Sequence, residues 1–61
     1  MKKIKLLKDY EGYMTTFKSG DIFEENEPYQ GFNEDGTFTI CQGMGIYHTI
    51  NVGDFEVVAE N

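Results

Sequence analysis

Residues 33–50, NEDGTFTICQGMGIYHTI, decide the fold. Asn33-Glu34-Asp35-Gly36 sets a glycine where a tight turn requires positive φ, and Thr37-Phe38-Thr39-Ile40-Cys41 leaves that turn with alternating polarity. Successive side chains of a strand point to opposite faces, so Phe38 and Ile40 share the core face. A second glycine-flanked turn, Gly43-Met44-Gly45, leads into Ile46-Tyr47-His48-Thr49-Ile50, where Ile46, His48 and Ile50 share one face. An amphipathic helix would repeat its apolar positions every three to four residues instead, and no window of the chain does so over a useful length.

The same period of two extends outward from this segment. Lys3-Ile4-Lys5-Leu6-Leu7 alternates with Ile4 and Leu6 facing in; Asp21-Ile22-Phe23-Glu24-Glu25 reads as a second strand with Ile22 directed inward; Tyr29-Gln30-Gly31-Phe32-Asn33 reads as a third. After a break at Asn51 to Asp54, Phe55-Glu56-Val57-Val58 completes the series. The expectation is an all-β fold of five to six short antiparallel strands, arranged as a small barrel or as two packed orthogonal sheets. A chain of 61 residues makes one domain, 1–61, and buries only about 60% of the surface its unfolded form exposes.

No covalent staple supplements so small a core. Cys41 is the only cysteine, so an internal disulfide is excluded, and no Cys/His cluster has structural zinc spacing. This suits a reducing, cytoplasmic setting. No apolar run approaches the roughly 20 residues of a membrane span, and the lysine-rich start lacks the apolar stretch of an export signal. A soluble protein with no membrane partner is expected.

Charge is unevenly placed. Lys2, Lys3, Lys5 and Lys8 are four of the five basic residues, and eleven carboxylates bring the chain to a net −6. An acidic surface repels phosphates and there is no arginine for bidentate base contacts, so direct nucleic-acid binding is not expected. The lysines at the start read as an edge strand protected against further pairing, which leaves self-association through that edge as one route to a homo-oligomer.

LLKDYEG at 6–12 followed by TFKSGDIFE at 16–24 resembles the start of SH3 domains, whose first strand ends in an Ala-Leu-Tyr-Asp-Tyr-type motif. That family continues with a long loop and a Phe-Lys-x-Gly-Asp-hydrophobic turn. Leu6, Asp9, Tyr10, Phe17, Lys18, Gly20, Asp21 and Ile22 follow its pattern in order. The turn at Asn33 to Gly36 falls where the family has its distal hairpin. The chain also resembles small acidic SH3-like proteins of Gram-positive bacteria and their phages, which often end in a Phe/Tyr-Glu-Val-Val strand. The resemblance implies a small SH3-like barrel and a protein-binding role. It does not imply proline-motif recognition, because the chain has no tryptophan, its only proline is Pro28, and NVGDFEVV replaces the family's Pro-x-Asn-Tyr ending.

Two surfaces are candidates for partner binding. Tyr10, Tyr13 and Phe17, joined by Tyr29 and Tyr47, would form an aromatic patch ringed by carboxylates, suited to a protein partner with basic and apolar features. Phe17 has the competing role of capping the barrel end, and Tyr10 that of a half-buried tyrosine in its wall. The acidic run Glu24, Glu25 and Glu27, continued by Glu34 and Asp35, supports the alternative of an antagonist that imitates nucleic acid and occupies the basic groove of a DNA- or RNA-binding protein.

Enzyme chemistry has one candidate pair. A four-residue loop between the last two long strands would set Cys41 directly opposite His48, within reach for thiolate–imidazole activation, whereas a two-residue turn would separate them. No third group orients the histidine, and a non-enzymatic role is expected. The turn at 33–36 has the asparagine, aspartate and glycine of an EF-hand centre, but the first and last ligand positions fall on Gly31 and Gln42, so no calcium site is expected. Gly43 and Gly45 lack the following Lys-Ser/Thr of a phosphate loop. No cofactor is implied.

Overall fold

In the computed structural model, residues 2–26 and 28–59 are described. They are all-β, with eight short strands: β1 (Lys3–Leu6), β2 (Tyr10–Gly12), β3 (Thr15–Phe17), β4 (Ile22–Glu24), β5 (Gly31–Phe32), β6 (Phe38–Gly43), β7 (Ile46–Ile50) and β8 (Phe55–Ala59). Their antiparallel ladders form three sheets, in the orders β4-β1-β8, β2-β3 and β5-β6-β7, and among the described residues these do not join into a closed barrel. The count exceeds the expected five or six because the segment from Tyr10 to Phe17 is itself a hairpin, closed by Tyr13 and Met14.

Alternation sets the core. Ile4 and Leu6 of β1, Phe38 and Ile40 of β6 and Ile50 of β7 are fully buried, and Tyr10, Phe17, Phe23, Phe32 and Phe55 pack around them. Ile22 departs from its expected place and is 51% exposed. Directly opposed residues of an antiparallel pair share a face, and Ile4 stands opposite Phe23 while Lys5 stands opposite Ile22. Phe23 therefore takes the core position and Ile22 the outer one. Two adjacent apolar residues in a three-residue strand leave that choice to register, and the larger ring wins the inner face.

β1 is the middle strand of its sheet, paired with β4 on one side and β8 on the other. The lysine-bearing strand thus has no open edge for self-association. Its outward Lys3 and Lys5 instead stand opposite Glu24 and Glu56, opposite-charge neighbours across the ladder.

Turn chemistry fixes the longest hairpin. Met44 and Gly45 form a two-residue turn with φ of 54° and 76°, the sign that matches the twist of flanking strands. The register shifts between Cys41 and Gly43, with Gly43 at φ 101°, so the strand bulges at Gln42.

The sheets are joined by a backbone bridge, in which Asn26 and Gln30 exchange N–H bonds of 2.8 and 3.0 Å, and by side chains. Gln30 donates from Nε2 to the Glu24 carbonyl at 2.7 Å and accepts the Cys41 N–H on Oε1 at 3.0 Å, linking the end of β4 to β6 where β5 has stopped. The β2-β3 hairpin is anchored to β7 by His48, which is 3% exposed and edge-on to the rings of Tyr10 and Phe17 at 5.5 Å from each. The Gln42 amide oxygen, 2.6 Å from His48 Nε2, can only accept, so Nε2 carries a proton, and Nδ1 lies 3.3 Å from the Tyr10 hydroxyl.

This anchoring leaves no room at Gly12. A Cβ there would lie 2.6 Å from His48 Nδ1 and 2.6 Å from the Tyr10 ring. Gly12→Ala is expected to destabilise the fold by about 1–3 kcal/mol through overpacking, read as a lower urea midpoint. An unchanged midpoint would mean that the hairpin is not seated on His48.

Candidate functional site

The five aromatic residues proposed for one patch divide into three environments. Tyr10 and Phe17 face inward, with their rings stacked at 5.9 Å, and belong to the packing under the β2-β3 hairpin. Both side chains are half-buried against the core, so neither stands in an exposed aromatic patch. Tyr13 is 71% exposed at the tip of that hairpin beside Met14, a non-glycine residue at φ 59°. Tyr29 and Tyr47 meet at a groove on the outer face of β5-β6-β7.

This groove follows from the register of the sheet. Gly31 stands opposite Thr39, and Tyr47 stands opposite Cys41, all on the face turned away from the core. Gly31, itself buried, brings no side chain to this face, and Pro28 with Tyr29, in the turn before β5, stand beside it. Phe32 and Asn33 complete a cavity of about 240 Å³. That is below the about 300–1,000 Å³ of most small-molecule sites and is sized for a single side chain. The alternating pattern treats position 31 as one more strand residue; the signal it passes over is a glycine inside a short strand, which marks close approach of other atoms.

The carboxylates sort by residue type. All four aspartates have local partners: Asp9 accepts the Ser19 N–H, Asp21 the Lys18 N–H, Asp35 the N–H and hydroxyl of Thr37, and Asp54 lies 3.5 Å from the Lys8 ammonium. Short carboxylates bind nearby backbone donors and so serve the turns. Glu24 faces Lys3 across the ladder, Glu25 is half-buried, Glu34 is exposed in its turn, and Glu27 lies outside the described residues. The acidic run is therefore not a uniform ridge of free charges.

Cys41 and His48 are separated. The two-residue turn, with Gly43 opposite Ile46, would by itself leave Cys41 opposite His48; the bulge at Gln42 shifts the register by one, pairing Cys41 with Tyr47 and His48 with Ile40, which sends the thiol to the outer face and the imidazole to the core. Among the described residues no three His, Cys, Asp or Glu side chains group as metal ligands, and no helix is long and apolar enough to cross a membrane. No protein-family model, curated protein or solved structure matches the chain.

The Thr37 hydroxyl and N–H hold the Asp35 carboxyl below its ordinary value. A carboxyl lowered by folding stabilises the turn at pH above its unfolded value, and the contribution disappears as pH falls through the lowered folded value. In a carboxyl NMR titration Asp35 is expected to titrate below an unstructured aspartate, and Thr37→Val should return it partway upward. Equal midpoints in the two proteins would show that the hydroxyl is not bonded to the carboxylate.

Proposed function

We propose that this chain is a non-enzymatic protein-interaction module of SH3-like organisation whose recognition surface is the groove between Tyr29 and Tyr47. The groove carries the reading: two large aromatic side chains, 61% and 50% exposed, line one concavity on the outer face of β5-β6-β7. Exposed tyrosines at a concavity bring large contact area at low entropic cost, which is how aromatic anchors dominate interfaces. Support for the SH3-like part is the strand order. β1 lies between β4 and β8, β5-β6-β7 make the second three-stranded sheet, and the β2-β3 hairpin occupies the connection after the Leu-Lys-Asp-Tyr segment.

The alternative of an acidic antagonist draws on the net charge of −6. It has less support because Glu24 stands opposite Lys3 and Asp54 lies 3.5 Å from the Lys8 ammonium. The module reading also draws on the separation of Cys41 from His48, which leaves the thiol without the imidazole that would activate it.

Immobilised wild-type chain and a Tyr29→Ala/Tyr47→Ala variant, both shown to be folded by circular dichroism, should differ in the partner they retain. The tyrosine change is expected to abolish retention, while Tyr13→Ala preserves it. Retention that ignores Tyr29 and Tyr47 but collapses between about 50 and 200 mM salt would overturn the proposal in favour of the acidic antagonist.

A further inference from the structure

Asp35-Gly36 is the sole Asp-Gly pair of the sequence, and the sequence holds no Asn-Gly pair. A glycine after aspartate has no side chain to hinder its backbone nitrogen, so in a free chain that nitrogen can attack the aspartate Cγ. The step is a dehydration. A bond forms between the Gly36 nitrogen and Asp35 Cγ, a carboxyl C–O bond breaks, and the hydroxyl leaves as water with the amide proton. Water then opens the cyclic imide at either carbonyl. One opening restores aspartate, while the other leaves isoaspartate, with an additional methylene in the main chain.

Attack needs a backbone nitrogen released from hydrogen bonding and a protonated carboxyl turned toward it, because a carboxylate is a poor electrophile. The folded turn supplies neither. The Gly36 N–H donates to the Asn33 carbonyl at 3.0 Å. Asp35 Oδ1 accepts the Thr37 N–H at 3.0 Å and the Thr37 hydroxyl at 2.7 Å, which directs the carboxylate past Gly36 to the residue beyond. The same two donors favour its ionised form. The Asn33 amide nitrogen can only donate, and it does so to the Thr37 hydroxyl at 2.9 Å, so the hydroxyl's own hydrogen is left for Asp35. Asn33 also donates to the Thr39 hydroxyl at 2.8 Å, which ties this relay to β6.

We infer that Asp35-Gly36 is a latent isoaspartate-forming site, held closed by the hydrogen bonds of Thr37 and Asn33 for as long as the turn is intact. The inference goes beyond the proposed function and stands without it. Thr37 is a positioning residue, since it orients the carboxylate and takes no part in the bonds that form or break. Conversion falls beside the candidate recognition surface, because Asn33 at the start of the turn also lines the groove with Tyr29 and Tyr47.

The test is incubation of the folded chain at mildly acidic pH and physiological temperature. Isoaspartate is counted by peptide mapping with a protease that cuts before aspartate and not before isoaspartate. A blocked peptide of residues 33–38 in the same buffer gives the unrestrained rate, and wild type should convert at least about tenfold more slowly. Thr37→Val should convert about threefold to tenfold faster than wild type, and Thr37→Ser, which keeps the hydroxyl, should match wild type. Gly12→Ala, kept to conditions where circular dichroism shows it folded, lowers stability away from the turn and should also stay near the wild-type rate. Conversion of wild type as fast as the peptide, no conversion in the peptide, or Thr37→Val no faster than wild type would overturn the inference. Equal acceleration in Gly12→Ala and Thr37→Val would overturn it too, by assigning the protection to global stability.

Discussion

Three sheets, each too small to close on itself, are sealed to one another by a shared apolar core, by the backbone bridge between Asn26 and Gln30, and by the side chains of Gln30 and His48. Both side chains can donate and accept at once, as a peptide unit does. Gln30 joins β4 to β6 beyond the end of β5, and His48 joins the β2-β3 hairpin to the bulge of β6 through Tyr10 and Gln42. A made hydrogen bond contributes a net of only about 0.5–1.5 kcal/mol, but an abandoned buried partner costs about 1–3 kcal/mol. A core of this size rarely supplies more than about 3–5 kcal/mol, so each seam is a large part of the margin.

The position of Gln30 also ties stability to recognition. It stands between Tyr29, which walls the groove, and Gly31, which opens it. Its backbone closes the turn that carries Pro28 and Tyr29 through reciprocal bonds with Asn26, and its side chain ties that turn to β4 and β6. The seam therefore positions the aromatic wall without occupying the surface it creates. Tyr47 is held independently by the β6-β7 ladder, so the two walls of the groove are set by different contacts.

The sequence made the all-β class legible where alternation was clean. Phe38, Ile40 and Ile50 could only share one face, and the glycine at position 36 announced its turn. It was silent where two answers differed by one residue of register. Ile22 and Phe23 compete for one inward position, and only the pairing with Ile4 decides between them. The Cys41–His48 question was decided by the bulge at Gln42, which is not written in residue type alone. The tyrosines show the same limit: all were legible as aromatics, but Tyr10 is drawn inward by His48, while Tyr29 and Tyr47, distant in sequence, are brought together by the β5-β6-β7 sheet. A groove defined by a missing side chain at Gly31 leaves little trace in a pattern of apolar and polar residues.

Side-chain sealing is open to direct measurement through the Cys41 amide, whose acceptor is the Gln30 carboxamide oxygen. Native-state hydrogen exchange of wild type and Gln30→Ala compares that amide with the amide of Phe38 in the same strand. Sealing by Gln30 predicts that Cys41 exchanges about tenfold faster in the variant, equivalent to about 1.4 kcal/mol, with a much smaller change at Phe38. Unchanged protection at Cys41, or an equal acceleration at both amides, would contradict it.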